Sequence, residues 1–351
     1  MSVQPTELVQ QMKPYVPGEQ PRDGEYIKLN TNENPYPPSP EVIRAMREAE
    51  LERMRLYPDP LCTKLRTIIA EKHHTTKDHI FVGNGSDEVL RLLFQAYFSA
   101  ENRLVITNPS YSLYPVLADT FGIPTKVVEL GPEGELPQLE NLQACKGFVL
   151  SNPNPPLGVF YPREEIAALM DSAPDNLFII DEAYVDFAEG DATELIRKRD
   201  NVVICRSLSK SYSLAGIRAG YAFAPAPLIA NLFKIKDSYN VNYLTQTAAC
   251  AAIQSNAYFR KTVSRIKEDR EYLTQELRRA GYKVYPSQGN FVFAEGEDGR
   301  QLYEKLKERK ILVRYFDTPR LKRGVRITVG THQEIQALLN ALPAINHPDS
   351  S

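Results

Sequence analysis

No stretch of this sequence approaches the roughly 20 apolar residues that cross a membrane. Its first residues lack the basic start and apolar centre of a secretory signal. Both absences lead to the expectation of a cytoplasmic protein. Cysteine is sparse: Cys62, Cys145, Cys205 and Cys250 stand far apart without C-x-x-C spacing. That pattern argues against a zinc site, a redox dithiol or a disulfide framework, and leaves buried thiols. Charge of one sign is missing too, because 42 Lys and Arg face 44 Asp and Glu, a net of -2. No nucleic-acid or polyanion surface is advertised, so the expected partner is a small molecule. There is no internal repeat and no low-complexity tract.

What is present is a globular composition, 42% apolar and 25% charged, over 351 residues. Single cores stop growing near about 250 to 300 residues, so two lobes are expected. Residues 1–40 are rich in proline and read as an extended arm. Helical periodicity follows from Val42 to about Tyr57 and from Leu61 to Lys72. Short apolar runs then recur, each followed by polar or glycine residues and a helical pattern: His79 to Val82, Leu104 to Ile106, Phe148 to Leu150, Leu177 to Ile180 and Val202 to Cys205. Runs without polar alternation suit strands buried on both faces of a mostly parallel sheet, so the fold class is α/β. Beyond about residue 230 a long helical stretch to Arg279 precedes short strands and one more helix. The expected division is therefore an arm (1–40), a large α/β domain (41–230) whose first helix has the option of packing on the second lobe, and a smaller α+β domain (231–351).

In open α/β sheets ligands bind beyond the carboxyl ends of the strands, so the residues after each run matter most. The turn Gly83 to Glu88 opens an apolar helix, where backbone N–H groups and the helix dipole suit a phosphate; a plain helix start is the alternative. A dinucleotide fingerprint would need a third glycine where Glu88 stands, which argues against hydride transfer. Asp181 ends an apolar run, where a buried carboxylate needs a partner: a pyridinium N–H, or the N–H groups of a helix it caps. Lys210 follows another run, flanked by Ser207 and Ser209, with Arg218 beyond. Hydroxyls and a guanidinium suit a phosphate, and the amine can form an imine with a carbonyl cofactor. Tyr111 and Tyr184 also fall at strand ends, where a ring can stack on a flat cofactor or a phenol can meet it.

Taken in order, Leu29-Asn30-Thr31-Asn32-Glu33-Asn34-Pro35, Tyr57-Pro58-Asp59, Gly83 to Glu88, Pro109-Ser110-Tyr111, Asp181-Glu182-Ala183-Tyr184, Ser207-Leu208-Ser209-Lys210, Leu214 to Tyr221 and Val325 to Gly330 resemble the fold-type I aminotransferases dependent on pyridoxal 5'-phosphate (PLP), and among them the histidinol-phosphate aminotransferase family. The resemblance runs over nearly the whole chain and implies a large domain with a mostly parallel sheet and a smaller α+β domain. It implies that Lys210 holds PLP as a Schiff base, Asp181 pairs with the pyridine nitrogen, Tyr111 stacks on the ring and Tyr184 contacts the ring hydroxyl. Ser86, Asp87, Ser207, Ser209 and Arg218 would take the phosphate. Tyr57 would reach the cofactor of a neighbouring subunit, which implies a homodimer with shared active sites. Tyr15, Asn32, Arg314 and Arg326 would bind substrate, histidinol phosphate as amino donor and 2-oxoglutarate as acceptor.

One motif departs from the family pattern. Its Asn-Pro-Thr-Gly stands here as Pro155-Pro156-Leu157-Gly158, so a proline without a side-chain donor occupies the position of the ring-hydroxyl asparagine. Asn154, one position earlier, is one replacement; Tyr184 acting alone is the other. Two rival functions share much of the pattern: an aromatic amino-acid aminotransferase or threonine-phosphate decarboxylase of the same fold, and a noncatalytic PLP-binding regulator. The second is disfavoured by Lys210, since binding alone requires no imine-forming amine.

Overall fold

The computed structural model describes residues 3–21, 24–136 and 145–342; residues 1–2 and 22–23 of the expected arm and 343–351 of the expected second domain lie outside them. The strands are β1 (Ile27–Lys28), β2 (Ile80–Gly83), β3 (Leu104–Asn108), β4 (Thr125–Glu129), β5 (Gly147–Ser151), β6 (Leu177–Asp181), β7 (Val202–Ser207), β8 (Gly220–Phe223), β9 (Lys283–Val284), β10 (Phe291–Glu295), β11 (Ile311–Leu312), β12 (Arg314–Tyr315) and β13 (Gly324–Thr328).

Seven of them form one sheet in the order β2-β8-β7-β6-β5-β3-β4. Its pairings are parallel except where β8 lies antiparallel to β2 and β7. β5 and β7 are buried at every position because apolar clusters cover both faces of the sheet. This is the arrangement expected of strands with continuous apolar runs. The edge strand β4 was not legible: Thr125, Val127 and Glu129 are exposed, so only one face gains from burial.

A second sheet, β12-β13-β10-β9, is antiparallel. Helices Asn256–Arg279, Gly299–Glu308 and His332–Ala341 share its core. The helix Tyr243–Gln254 packs instead on helices Pro40–Arg47 and Thr63–Lys72, and Val241, Ala248, Ala249 and Ile253 join the core of the large sheet. Its small alanine side chains permit that close approach. The change of core thus comes at Asn256 rather than at 231, and the first helix belongs with the large sheet. The arm is tied down at its end, since β1 pairs in parallel with β11 and Leu29 is buried in the second core. The helical pattern expected to reach Tyr57 stops at Arg47, followed by a 3₁₀ turn over Leu51–Arg55. Leu51, Met54 and Leu56 there are at least half exposed, so their hydrophobicity answers to no core within this chain. Among the described residues no helix is long and apolar enough to cross a membrane.

Candidate active site

The carboxyl ends of β5, β6 and β7 put Ser151, Asp181 and Ser207 side by side, with Ser151 in register with Asp181. β8 begins at Gly220, which is paired with both Gly83 and Ser207. A Cβ on Gly220 would lie 2.3 Å from the Ser86 nitrogen, so the start of helix Ser86–Tyr97 comes against this strand only because residue 220 is glycine. Arg218, in the left-handed region at φ 59°, turns back over Gly85, where any Cβ would meet its guanidinium at 2.5 Å. The result is a cavity of about 260 Å³ at the strand ends.

Twelve of the residues expected from sequence line it: Tyr15, Ser86, Asp87, Tyr111, Asp181, Tyr184, Ser207, Ser209, Lys210, Arg218, Arg314 and Arg326. Lys210 Nζ donates to the Thr31 carbonyl at 3.0 Å, and its burial, with the Arg326 guanidinium next, brings the amine down to about 8. Asp181 is nearly fully buried. Tyr114 Oη donates to its Oδ2 at 2.8 Å and the Ala183 N–H to its Oδ1 at 3.1 Å. Burial pushes this carboxyl up to about 6, and those two hydrogen bonds restrain the rise. Burial also raises the Tyr184 and Tyr111 phenols, keeping both protonated donors at neutral pH.

The Asp87 carboxylate accepts from Arg218 Nη2 at 2.9 Å and from Tyr111 Oη at 3.2 Å, so it braces the guanidinium and the ring. Ser207 Oγ accepts from the Ser209 N–H at 3.2 Å. Ser209 Oγ and Ser110 Oγ are buried without partners. Unpaired buried hydroxyls are costly, and these two lie beside a helix start and a guanidinium. The donor set, the glycine cradle and the ring suit PLP: Ser86, Ser209 and Arg218 would hold its phosphate, Lys210 its carbonyl carbon and Asp181 its pyridine nitrogen.

Three expected residues do not line the cavity. Asn32 is fully buried, donating from Nδ2 to the Tyr184 phenol oxygen at 3.1 Å. Asn154 is also fully buried, with both side-chain polar atoms unpartnered, while Pro155 and Pro156 occupy the cavity wall. Tyr57 is 81% exposed and stacks on Tyr239 at 4.3 Å between ring centroids, on another face. Sequence reasoning missed Tyr114, Thr31 and Glu33. Tyr114 is readable only as an apolar helix position, and a backbone carbonyl such as that of Thr31 carries no sequence signal at all.

Arg326 also lines the cavity and is partly buried. Its Nη2 donates to the Asn30 carbonyl at 2.9 Å, its Nε has no partner, and among the described residues no carboxylate pairs with it. Arg314 donates to the carbonyls of Val16 and Pro17, beside Tyr15.

A histidinol-phosphate aminotransferase of Syntrophus aciditrophicus (strain SB) is 44% identical over 343 residues, 94% of this chain and 95% of that one. One from Acinetobacter baumannii (strain AYE) is 41% identical over 342 residues, 95% of each chain. The solved structure of histidinol-phosphate aminotransferase from Sinorhizobium meliloti in complex with pyridoxal-5'-phosphate superposes with a TM-score of 0.89 and 27% identity, covering 97% of this chain and 96% of that one. Residues 24–342 match the aminotransferase class I and II family, a span holding both sheets and every cavity residue except Tyr15 and Gly18, and the chain belongs to that family.

Proposed function

We propose that this protein is a cytoplasmic, PLP-dependent enzyme of histidine biosynthesis. It transfers the amino group of L-histidinol phosphate to 2-oxoglutarate, giving imidazole-acetol phosphate and L-glutamate. The observation that carries the substrate is Arg326. A partly buried guanidinium whose enclosed Nε has no partner, and with which no carboxylate pairs among the described residues, is a charge that a bound anion would neutralise. Arg314 and Tyr15 add donors to the same cavity, a second set besides those of the phosphate cradle. The substrate phosphate and the 2-oxoglutarate carboxylate would take the second in turn. The names of the relatives point the same way.

Bound PLP supplies a carbonyl that joins amines and a ring that withdraws electrons from the joined carbon. Lys210 would hold PLP through its amine and, once freed by the substrate amine, would take up and return a proton at substrate Cα. With its amine near 8 a minor but sizeable share is neutral close to physiological pH, far more than in an exposed lysine, and the neutral form is the base. Asp181 would hold a proton on the pyridine nitrogen, and Tyr114 keeps that carboxylate oriented. Tyr111 would stack on the ring, and Tyr184 would donate to the ring oxygen.

The protein works as a homodimer on this reading, with Tyr57 reaching the neighbouring cofactor. Its 81% exposure beside Leu51, Met54 and Leu56 is what a second copy would cover.

The test is the absorption spectrum of PLP-loaded protein before and after histidinol phosphate, with no keto acid present. Loss of the long-wavelength cofactor band and appearance of pyridoxamine phosphate is the expected result. A band that persists with histidinol phosphate but disappears with phenylalanine would move the assignment to an aromatic donor. Bound cofactor that no amine donor converts would point to a noncatalytic role.

A further inference from the structure

Asn32 is where sequence and structure diverge most. Its backbone N–H donates to Thr328 Oγ1 at 2.9 Å, and Thr328 Oγ1 in turn donates to Asn32 Oδ1 at 3.1 Å. A hydroxyl carries one proton. Because Thr328 accepts from the amide nitrogen, its own proton is directed to Oδ1, which fixes the asparagine side chain with oxygen toward Thr328 and nitrogen toward Tyr184. Asn32 Nδ2 only donates, so its 3.1 Å bond to Tyr184 Oη occupies a lone pair of the phenol oxygen. The phenol proton is left to point elsewhere. Tyr184 lines the cavity, and no acceptor for that proton occurs among the described residues.

From this geometry we infer that Thr328 and Asn32 are positioning residues: they form a one-way hydrogen-bond relay that makes Tyr184 an obligate donor into the cavity, toward the ring oxygen of the cofactor. The relay would fill the gap left at Pro155, which has no side-chain donor, beside an Asn154 that is buried and does not line the cavity. It is also held from several sides. Asn290 Nδ2 donates to the Asn32 carbonyl at 3.0 Å, and the Thr328 N–H donates to the Leu29 carbonyl at 2.9 Å. Asn32 adopts φ 53°, a left-handed conformation that asparagine and aspartate tolerate better than other side chains. Thr328 ends β13 of the smaller sheet while Tyr184 follows β6 of the larger, so the donor is set by a contact that crosses between them.

The inference rests on the PLP reading and is tested by pH titration of the bound cofactor's absorption. A donor on the ring oxygen draws charge from it and makes the adjoining Lys210 nitrogen, once joined to the cofactor, less basic. Losing that donor should raise the titration midpoint by about 1 to 2 pH units, the scale of one hydrogen bond to a charged group. Tyr184→Phe should show the full shift. Asn32→Asp, whose carboxylate accepts the phenol proton and turns it from the cavity, should show a comparable one. Thr328→Val should move the same way and Thr328→Ser should restore the wild-type value. On a Tyr184→Phe background Asn32→Asp should add nothing, whereas a bare charge effect would add again. A residue that merely supports the fold would leave the midpoint unmoved. Wild-type midpoints in Asn32→Asp and Thr328→Val, against a raised one in Tyr184→Phe, would overturn the relay. A wild-type protein whose absorption shows no bound cofactor would overturn the cofactor reading and the inference with it.

Discussion

Lys210 shows how burial turns an ordinary side chain into a reactive one. Its amine is brought down from 10.5 to about 8, chiefly because the ammonium form loses hydration in the cavity. Capture of PLP by the apoprotein needs the neutral amine, so the capture rate should rise with pH and level off above about 8. Stopped-flow absorbance across pH 6 to 10.5 reads this, with roughly tenfold slower capture per pH unit below the midpoint; a rate still climbing at 10.5 would show an amine that burial had not shifted. Lys210→Ala should bind PLP noncovalently and lose transamination, assayed by glutamate formation. Asp181, Ser207, Ser209 and Lys210 were legible as neighbours around one cavity because each ends or follows an apolar run, and strand ends gather in an α/β sheet whatever the loops do. Asn32 was legible as a motif residue but not in its role, because its partners Thr328 and Tyr184 lie 296 and 152 positions away.

Between elements, the strand ends need holding together as well as bringing together. Glu182 follows Asp181 on the β6 side and Arg206 precedes Ser207 on β7. Arg206 Nε and Nη2 contact Glu182 Oε2 at 2.8 and 2.7 Å, with Asp191 at 3.0 Å and Asp186 at 3.5 Å. Asp186 also accepts from Ser211, the neighbour of Lys210. Burial pushes the Glu182 carboxyl up to about 7, and the Arg206 charge opposes that rise. Arg206→Met therefore leaves a buried carboxylate without its partner and should cost about 3 to 5 kcal/mol by urea denaturation. Because the destabilised Glu182 would bind a proton more readily, the loss should be smaller at pH 5 than at pH 8; a loss independent of pH would assign Arg206 to packing alone. The central strands that carry these residues were readable from their apolar runs. The edge strand β4 and the end of the helix Pro40–Arg47 were not, since an edge strand buries one face and exposed leucines mimic a core.

Across the whole molecule the two sheets meet at the cavity. The arm closes it from one side, and one exposed face remains to be accounted for. Two lobes followed from chain length alone, but their boundary did not, because the helix Tyr243–Gln254 lies past the large sheet in sequence yet packs within its core. Leu51, Met54 and Leu56 are 59%, 59% and 50% exposed, next to Tyr57 at 81%. Fully burying one such side chain is worth about 1.5 to 3 kcal/mol, so leaving them all in water would be a standing cost that a second copy removes. Sedimentation velocity should therefore give a dimer for the wild type and a monomer for the double variant Met54→Asp with Leu56→Asp. If Tyr57 completes the neighbour's cofactor site, that monomer should also bind PLP at least tenfold more weakly, although neither substituted residue lines the cavity of its own chain. A monomer with wild-type PLP affinity would separate the two claims, leaving the apolar face as an interface and removing Tyr57 from the site.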